Sequence, residues 1–255
     1  MKDFIDFPPK ADPFIAEKWN RLLRQAKFFA FIPFIEIVFV AGSMAMGSAD
    51  ENSDFDLIVG VKSGRIFTAR FFCWFIFGIF GWRRTASAEA LAKADKFCFS
   101  HFVTPGSYCL AEPRNEYWKK LYASLVPIYG DKDMIQKFYD ANADWIGSAR
   151  HREDEIPSLR SGQAPQSLSQ RLPRSVQSLA MTERRQVKSV VEKMLSGKLG
   201  VVLEKYLKKI QIKKIEKSLK TVKQYKPRII FNDSELEFHP DTKRIEEYCS
   251  QKNGF

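Results

Sequence analysis

Cysteine is scarce in this chain, and the four that occur, at positions 73, 98, 109 and 249, show neither metal-ligand spacing nor the pairing of a disulfide framework. That excludes a small cystine-stapled scaffold, argues against a cysteine-held zinc centre, and suits a reducing, cytoplasmic setting. The start, Met1 to Pro9, lacks the charged and then apolar pattern of a secretory leader, so export is not expected. Nor is there an uninterrupted apolar run of the roughly 20 residues that a membrane span needs. Phe28 to Ala41 is broken by Pro33 and Glu36, and Phe71 to Trp82 is bounded by Arg70, Arg83 and Arg84. Both runs read as buried core with no membrane span, docking of the Phe-rich run on a membrane surface being the rival reading.

What is present is ample material for a core. The chain has 255 residues, 45% of them hydrophobic and 14% aromatic, enough for one large domain or two small ones. Ile15, Trp19, Leu22, Leu23, Ala26 and Phe29 recur at helical spacing, with Lys18, Arg21, Arg24 and Lys27 on the outside. Pro33 ends that helix, and Phe34 to Ala41 reads as a central strand covered on both faces. Gly42 then permits a sharp turn, with Ser43 as N-cap of a short helix from Met44 to Ala49. A second strand spans Phe55 to Val61. A nearly all-apolar helix follows from Arg65 to Gly81, its interior Arg70 reading as a snorkelling surface arginine or a phosphate contact. A third strand runs from Phe97 to Thr104 with a return at Tyr108 to Leu110, and amphipathic helices cover Asn115 to Leu125 and Lys132 to Ile146, the latter capped by Asp131.

Residues 1–147 thus form one α+β domain. Residues 148–186, rich in Ser, Arg, Gln and Pro without apolar period, read as a flexible linker or insertion. Residues 187–255 read as a basic, mainly helical C-terminal region, with Val187, Val190, Val191, Met194, Leu195, Val202, Leu203, Tyr206, Leu207 and Ile210 at helical spacing. Between Glu183 and Arg228 there are 15 Lys or Arg against 4 Glu, a local excess of +11 equal to the net charge of the whole protein. A solvated helix face explains it most simply, and contact with nucleic acid or nucleotide phosphate is the sharper alternative.

One stretch demands chemistry. Asp54 and Asp56 stand two apart at the start of the second strand, so both point to the same face. Paired carboxylates repel unless a cation lies between them, and a hard cation with oxygen ligands, magnesium, is the natural occupant. Upstream, Gly42 and Ser43 offer a turn and helix start of the kind that seats phosphate.

Gly42-Ser43, ten residues, then Asp54-Phe55-Asp56 between apolar neighbours resembles the signature of the DNA polymerase beta-like nucleotidyltransferase superfamily. Ser53, Tyr129-Gly130-Asp131-Lys132 and Phe238-His239-Pro240 are further similar to a group of bacterial nucleotidyltransferase-domain proteins, within which residues 158–182 look like an insertion. The resemblance implies a mixed β-sheet flanked by helices, with Gly42 and Ser43 binding the triphosphate of a nucleotide. It further implies that Asp54 and Asp56 are catalytic ligands of one or two magnesium ions. The implied reaction is transfer of a nucleoside monophosphate from a nucleoside triphosphate to an unidentified hydroxyl acceptor. Family members carry a third carboxylate on a later strand. Phe97 to Thr104 contains none, which leaves Asp95 or Glu112 as substitutes, His101 as a candidate base, and a catalytically inactive nucleotide- or RNA-binding module of the same fold as the alternative function.

Overall fold

Strands that are apolar at nearly every position must be covered on both faces. The computed structural model describes residues 13–84, 94–146, 186–221 and 228–239, with residues 245, 249 and 250. In chain order, α1 (Pro13–Ala26) and a 3-10 turn (Lys27–Phe31) lead into β1 (Ile35–Val40), α2 (Gly42–Met46), β2 (Phe55–Val61), α3 (Ile66–Ile79) and β3 (Phe97–Val103). A second 3-10 turn (Pro105–Ser107) then leads to α4 (Glu116–Ala123), β4 (Val126–Gly130), α5 (Lys132–Asp140) and α6 (Ala143–Ile146). The C-terminal part supplies α7 (residues 186–195), α8 (Lys198–Thr221), β5 (Arg228–Phe231) and β6 (Glu235–His239).

The class is α+β, with a six-stranded mixed sheet in the order β4-β1-β2-β3-β6-β5. β1 pairs antiparallel with β2 and with β4, and β6 pairs antiparallel with β3 and with β5. β2 and β3 are parallel, because α3 carries the chain back across one face of the sheet. Ile37 finds room between the strands because both of its cross-strand partners, Gly60 and Gly130, lack a side chain.

Helices cover both faces. On the first, Trp19 and Leu22 of α1 and Phe67 and Phe77 of α3 pack on Phe55, Leu57, Phe97 and Phe102. On the second, Trp118 and Tyr122 of α4 and Phe138 of α5 pack on Ile37, Phe39, Ile58 and Val103. Phe55 and Leu57 point to the first face, so alternation sends Asp54 and Asp56 to the second, the side of α4. An extra residue on β3 shifts the register from Asp56 opposite Cys98 to Ile58 opposite His101.

Several local expectations are corrected. Lys18 is not outside: it is buried, with its ammonium on the carbonyls of Glu51 (3.1 Å) and Ser53 (3.0 Å). Arg70 is neither a surface residue nor a phosphate contact. It is buried over the Trp74 ring at 3.9 Å and accepted by Gln211 of α8 at 3.0 Å, and burial pushes its pKa down to about 9. Only one side of α3 is core, since Phe75 and Ile79 stand 54% and 65% exposed. The apolar positions of α7 and α8 divide: Leu207 is buried and Leu195 and Leu203 pack on the core, whereas Val190, Met194 and Val202 are exposed, and the polar Lys188 and Gln211 are buried with Ile215. Polar anchors help to set the inward face. Glu204 accepts the amides of Phe67 and Thr68 (2.9 and 2.8 Å), capping the start of α3, and Lys188 donates to the Ile35 carbonyl at 2.7 Å. Val126 to Gly130 is a strand, and Tyr108 to Leu110 is not. Of the segment 148–186, residues 148–185 lie outside the described residues.

No described helix is long and apolar enough to cross a membrane.

Candidate functional site

The approach to β2 is fixed before the carboxylates begin. Asp50 closes a turn, accepting the Asn52 amide at 3.0 Å and the Ser53 hydroxyl at 2.8 Å. Lys18 holds the same loop from beneath and pairs with Asp95 at 2.9 Å. The first residues after that loop, Asp54 and Asp56, therefore leave it in one defined direction.

The turn and the carboxylates meet. The Ala41 amide donates to the Asp56 carbonyl at 2.9 Å, which brings the start of α2 against the start of β2. Gly42 has φ +62°, and a Cβ placed on it would lie 2.3 Å from Asp56 Oδ2. Only glycine combines that left-handed conformation with that approach. The helix starts earlier than its sequence suggests: Ala41 is the N-cap, Ser43 lies inside the first turn, and Gly47 ends the helix, so the expected capping by Ser43 is not made.

Across the parallel pairing, Cys98 of β3 stands opposite Asp56. Single ligand atoms of Asp54, Asp56 and Cys98 lie within 4.8 Å of one another. After α3, Arg83 bridges to Phe97 and the Arg84 amide donates to the Phe97 carbonyl at 2.9 Å, so the Arg84 guanidinium reaches the Asp54 carboxylate and forms an ion pair with it. Nothing in the local sequence around Arg84 announces this role, because it depends on the backbone register beside β3.

The group carries an excess of negative charge. Burial, and then the charge of Asp54, push the Asp56 carboxyl up to about 6. Burial, followed by the charges of Asp56 and Asp54, pushes the Cys98 thiol well above its ordinary range, so it remains protonated. Tyr117 of α4 overlooks the cluster, and burial followed by the Asp56 charge raises its phenol to about 12. Among the described residues the neutral Cys98 and the cation Arg84 leave the two carboxylates incompletely balanced.

The substitutes for the third carboxylate do not join this cluster. Asp95 is held by Lys18 and Arg21. Glu112 is exposed and turned to Arg114, accepting its amide at 2.8 Å. His101 lies further along β3 beside Glu235, at 3.3 Å. Among the described residues the third corner of the Asp54 and Asp56 group is the Cys98 thiol.

No protein-family model and no curated protein matches the chain.

Proposed function

We propose that the protein is a magnesium-dependent nucleotidyltransferase of the polymerase beta-like fold, acting on a nucleoside triphosphate and a hydroxyl acceptor. The observation that carries this reading is the contact of Gly42 with the Asp56 carboxylate, which joins the phosphate-seating turn and the metal-ligating pair at one point. The antiparallel β1 and β2 around that turn, followed by a parallel β3, also suit the fold.

The donor set fits a hard cation in part. Asp54 and Asp56 offer carboxylate oxygens, which magnesium prefers, while the protonated Cys98 thiol is a poor ligand for it. Magnesium bound to the two aspartates would neutralise phosphate oxygens and help activate the acceptor. Gly42 and Ser43 would hold the phosphates against the aspartates. Arg84, displaced from Asp54 by the cation, would turn its guanidinium to a phosphate oxygen. Tyr117 would shield the site from the side of α4. In the reaction an acceptor hydroxyl forms a bond to the α-phosphorus as the bond to the departing pyrophosphate breaks.

A binding module without turnover is the second reading, and the observation that favours it is Cys98 in place of a third carboxylate. The basic face of α8 lies across the sheet from the aspartates, since that helix packs on α3, so nucleic acid bound there would be held apart from the Asp54 and Asp56 site. The deciding experiment supplies each nucleoside triphosphate labelled on its α-phosphate, with magnesium and pools of RNA, protein and small hydroxyl acceptors. Transfer that disappears in Asp54→Ala and Asp56→Ala supports the enzyme. Magnesium-dependent nucleotide binding with no transfer supports the module, and no magnesium-dependent nucleotide binding removes both readings.

A further inference from the structure

The chain has only three histidines, and two of them meet, with a carboxylate, inside the protein. Single ligand atoms of His101, Glu237 and His239 lie within 4.8 Å of one another. The pairing of β3 with β6 sets them there: His101 stands directly opposite Glu237, and His239 lies two residues further on the same face. The opening of that group is on the His239 side, where the ring is 28% exposed.

We propose that these three residues hold a zinc-class divalent ion. Four observations carry the site. First, Glu237 is fully buried, and its Oε1 has no hydrogen-bond partner among the described residues. A buried carboxylate oxygen left in that condition is costly, and a cation satisfies it. Second, the other oxygen is already committed: Arg228 Nε donates to Oε2 at 2.7 Å while the rest of its guanidinium donates to the carbonyls of Ala111 and Pro113. This is the outer support that orients a carboxylate toward a metal through its remaining oxygen.

Third, the contact of His239 with Glu237 is longer than a strong charge-assisted hydrogen bond and has the spacing of two ligands on one ion. His239 Nε2 lies 3.4 Å from Glu237 Oε1, while His101 Nε2 also has a hydrogen-bond contact with Glu235 Oε1, beside the group, at 3.3 Å. A charge-assisted N–H···O bond would be about 2.7–2.9 Å. Donors each about 2.0–2.1 Å from one tetrahedral ion stand about 3.3–3.4 Å apart. Fourth, the buried formal charge around the group is negative among the described residues: Glu235 and Glu237 are both buried, and the guanidinium of Arg228 pairs with Glu237 alone. Two imidazoles with a carboxylate are a borderline donor set that suits zinc better than magnesium or calcium. Such an ion would staple β6, from the far end of the chain, to β3 in the centre of the sheet.

The test uses the full chain, stripped of metal with a chelator and then titrated with zinc against a chromophoric competitor, together with cobalt substitution. The expected result is one zinc per chain and cobalt absorption of a tetrahedral nitrogen and oxygen site without a thiolate charge-transfer band. Glu237→Gln, which keeps the shape of the buried side chain, should lose that zinc by at least tenfold in affinity. His239→Ala, at the half-exposed edge and checked for a native circular dichroism spectrum, should do the same. Asp54→Ala with Asp56→Ala should retain it, so failure of the magnesium site and failure of this one are separable. No zinc bound at micromolar concentration, undiminished binding in both folded His239 and Glu237 variants, or a thiolate band that vanishes with Cys98→Ser would overturn the assignment.

Discussion

Asp56→Asn should make the metal-free protein more stable at neutral pH while removing its response to magnesium. Asp56 is a carboxylate held against its own interest: half-buried, beside Asp54, with a pKa raised from 3.8 to about 6. Between those values the folded state binds more protons than the unfolded chain, so stability falls as pH rises through about 4 to 6 and stays low above that window. The full interval is worth at most about 3 kcal/mol, and screening at a site open to solvent brings the expected gain to about 1–2 kcal/mol. Asparagine carries no charge at any pH and therefore escapes the penalty. The assay is thermal or urea unfolding in EDTA at pH 5, 6 and 7.5. At pH 7.5 the variant should melt about 2–6 °C above the parent for a chain of this size, and the gap should narrow toward pH 5. Added magnesium should raise the parent and leave the variant unmoved. A variant less stable than the parent at pH 7.5 in EDTA, or a gap independent of pH, would refute the reasoning.

Three other outcomes follow from named contacts. Cys98→Asp puts a carboxylate at the third corner of the Asp54 and Asp56 group, so magnesium affinity should rise at least severalfold by calorimetry; transfer gained by this variant alone would mark the parent as a binding module. Gly42→Ala must place a Cβ 2.3 Å from Asp56 Oδ2 at φ +62°, and should lose about 2 kcal/mol or more of stability in urea along with magnesium binding. Glu204→Ala removes the carboxylate that caps α3 through the Phe67 and Thr68 amides, which should cost about 1–2 kcal/mol in urea and leave magnesium binding intact, because α3 covers the other face of the sheet.

The turn-and-strand unit from Gly42 to Asp56 was legible because its logic is local. A two-residue period puts both aspartates on one face, and a glycine before a short helix signals a tight turn; the structure adds that the glycine touches the second aspartate. The central strands were legible for the same reason, being apolar on both faces. Residues whose roles depend on distant partners were not. Lys18 looked like one of four outward cations on a helix, and only the packing of α1 against the loop before β2 gives it carbonyls to bind. Cys98 and Arg84 reach the aspartates through the pairing of β3 with β2 and the backbone beside it. β5 and β6 were missed because residues 187–255 were read as mainly helical, and the carboxylates of Glu235 and Glu237 are buried only where His101 and Arg228 from other strands meet them. On α7 and α8 the apolar period marked Leu195, Leu203 and Leu207, which face the core, but also Val190, Met194 and Val202, which are exposed, and it gave no sign of the buried polar anchors Lys188 and Gln211.

By itself, then, the sequence determined where the chain bends, which strands are central and which two carboxylates share a face, because those depend on steric preferences and periods acting over a few residues. Tertiary structure alone decided which cation balances Asp54, which atom stands at the third corner beside Asp56, and that His101 and His239, 138 positions apart, meet in one cluster with Glu237. Those facts depend on strand register and helix docking between distant segments, where one residue of slip would turn every side chain to the opposite face.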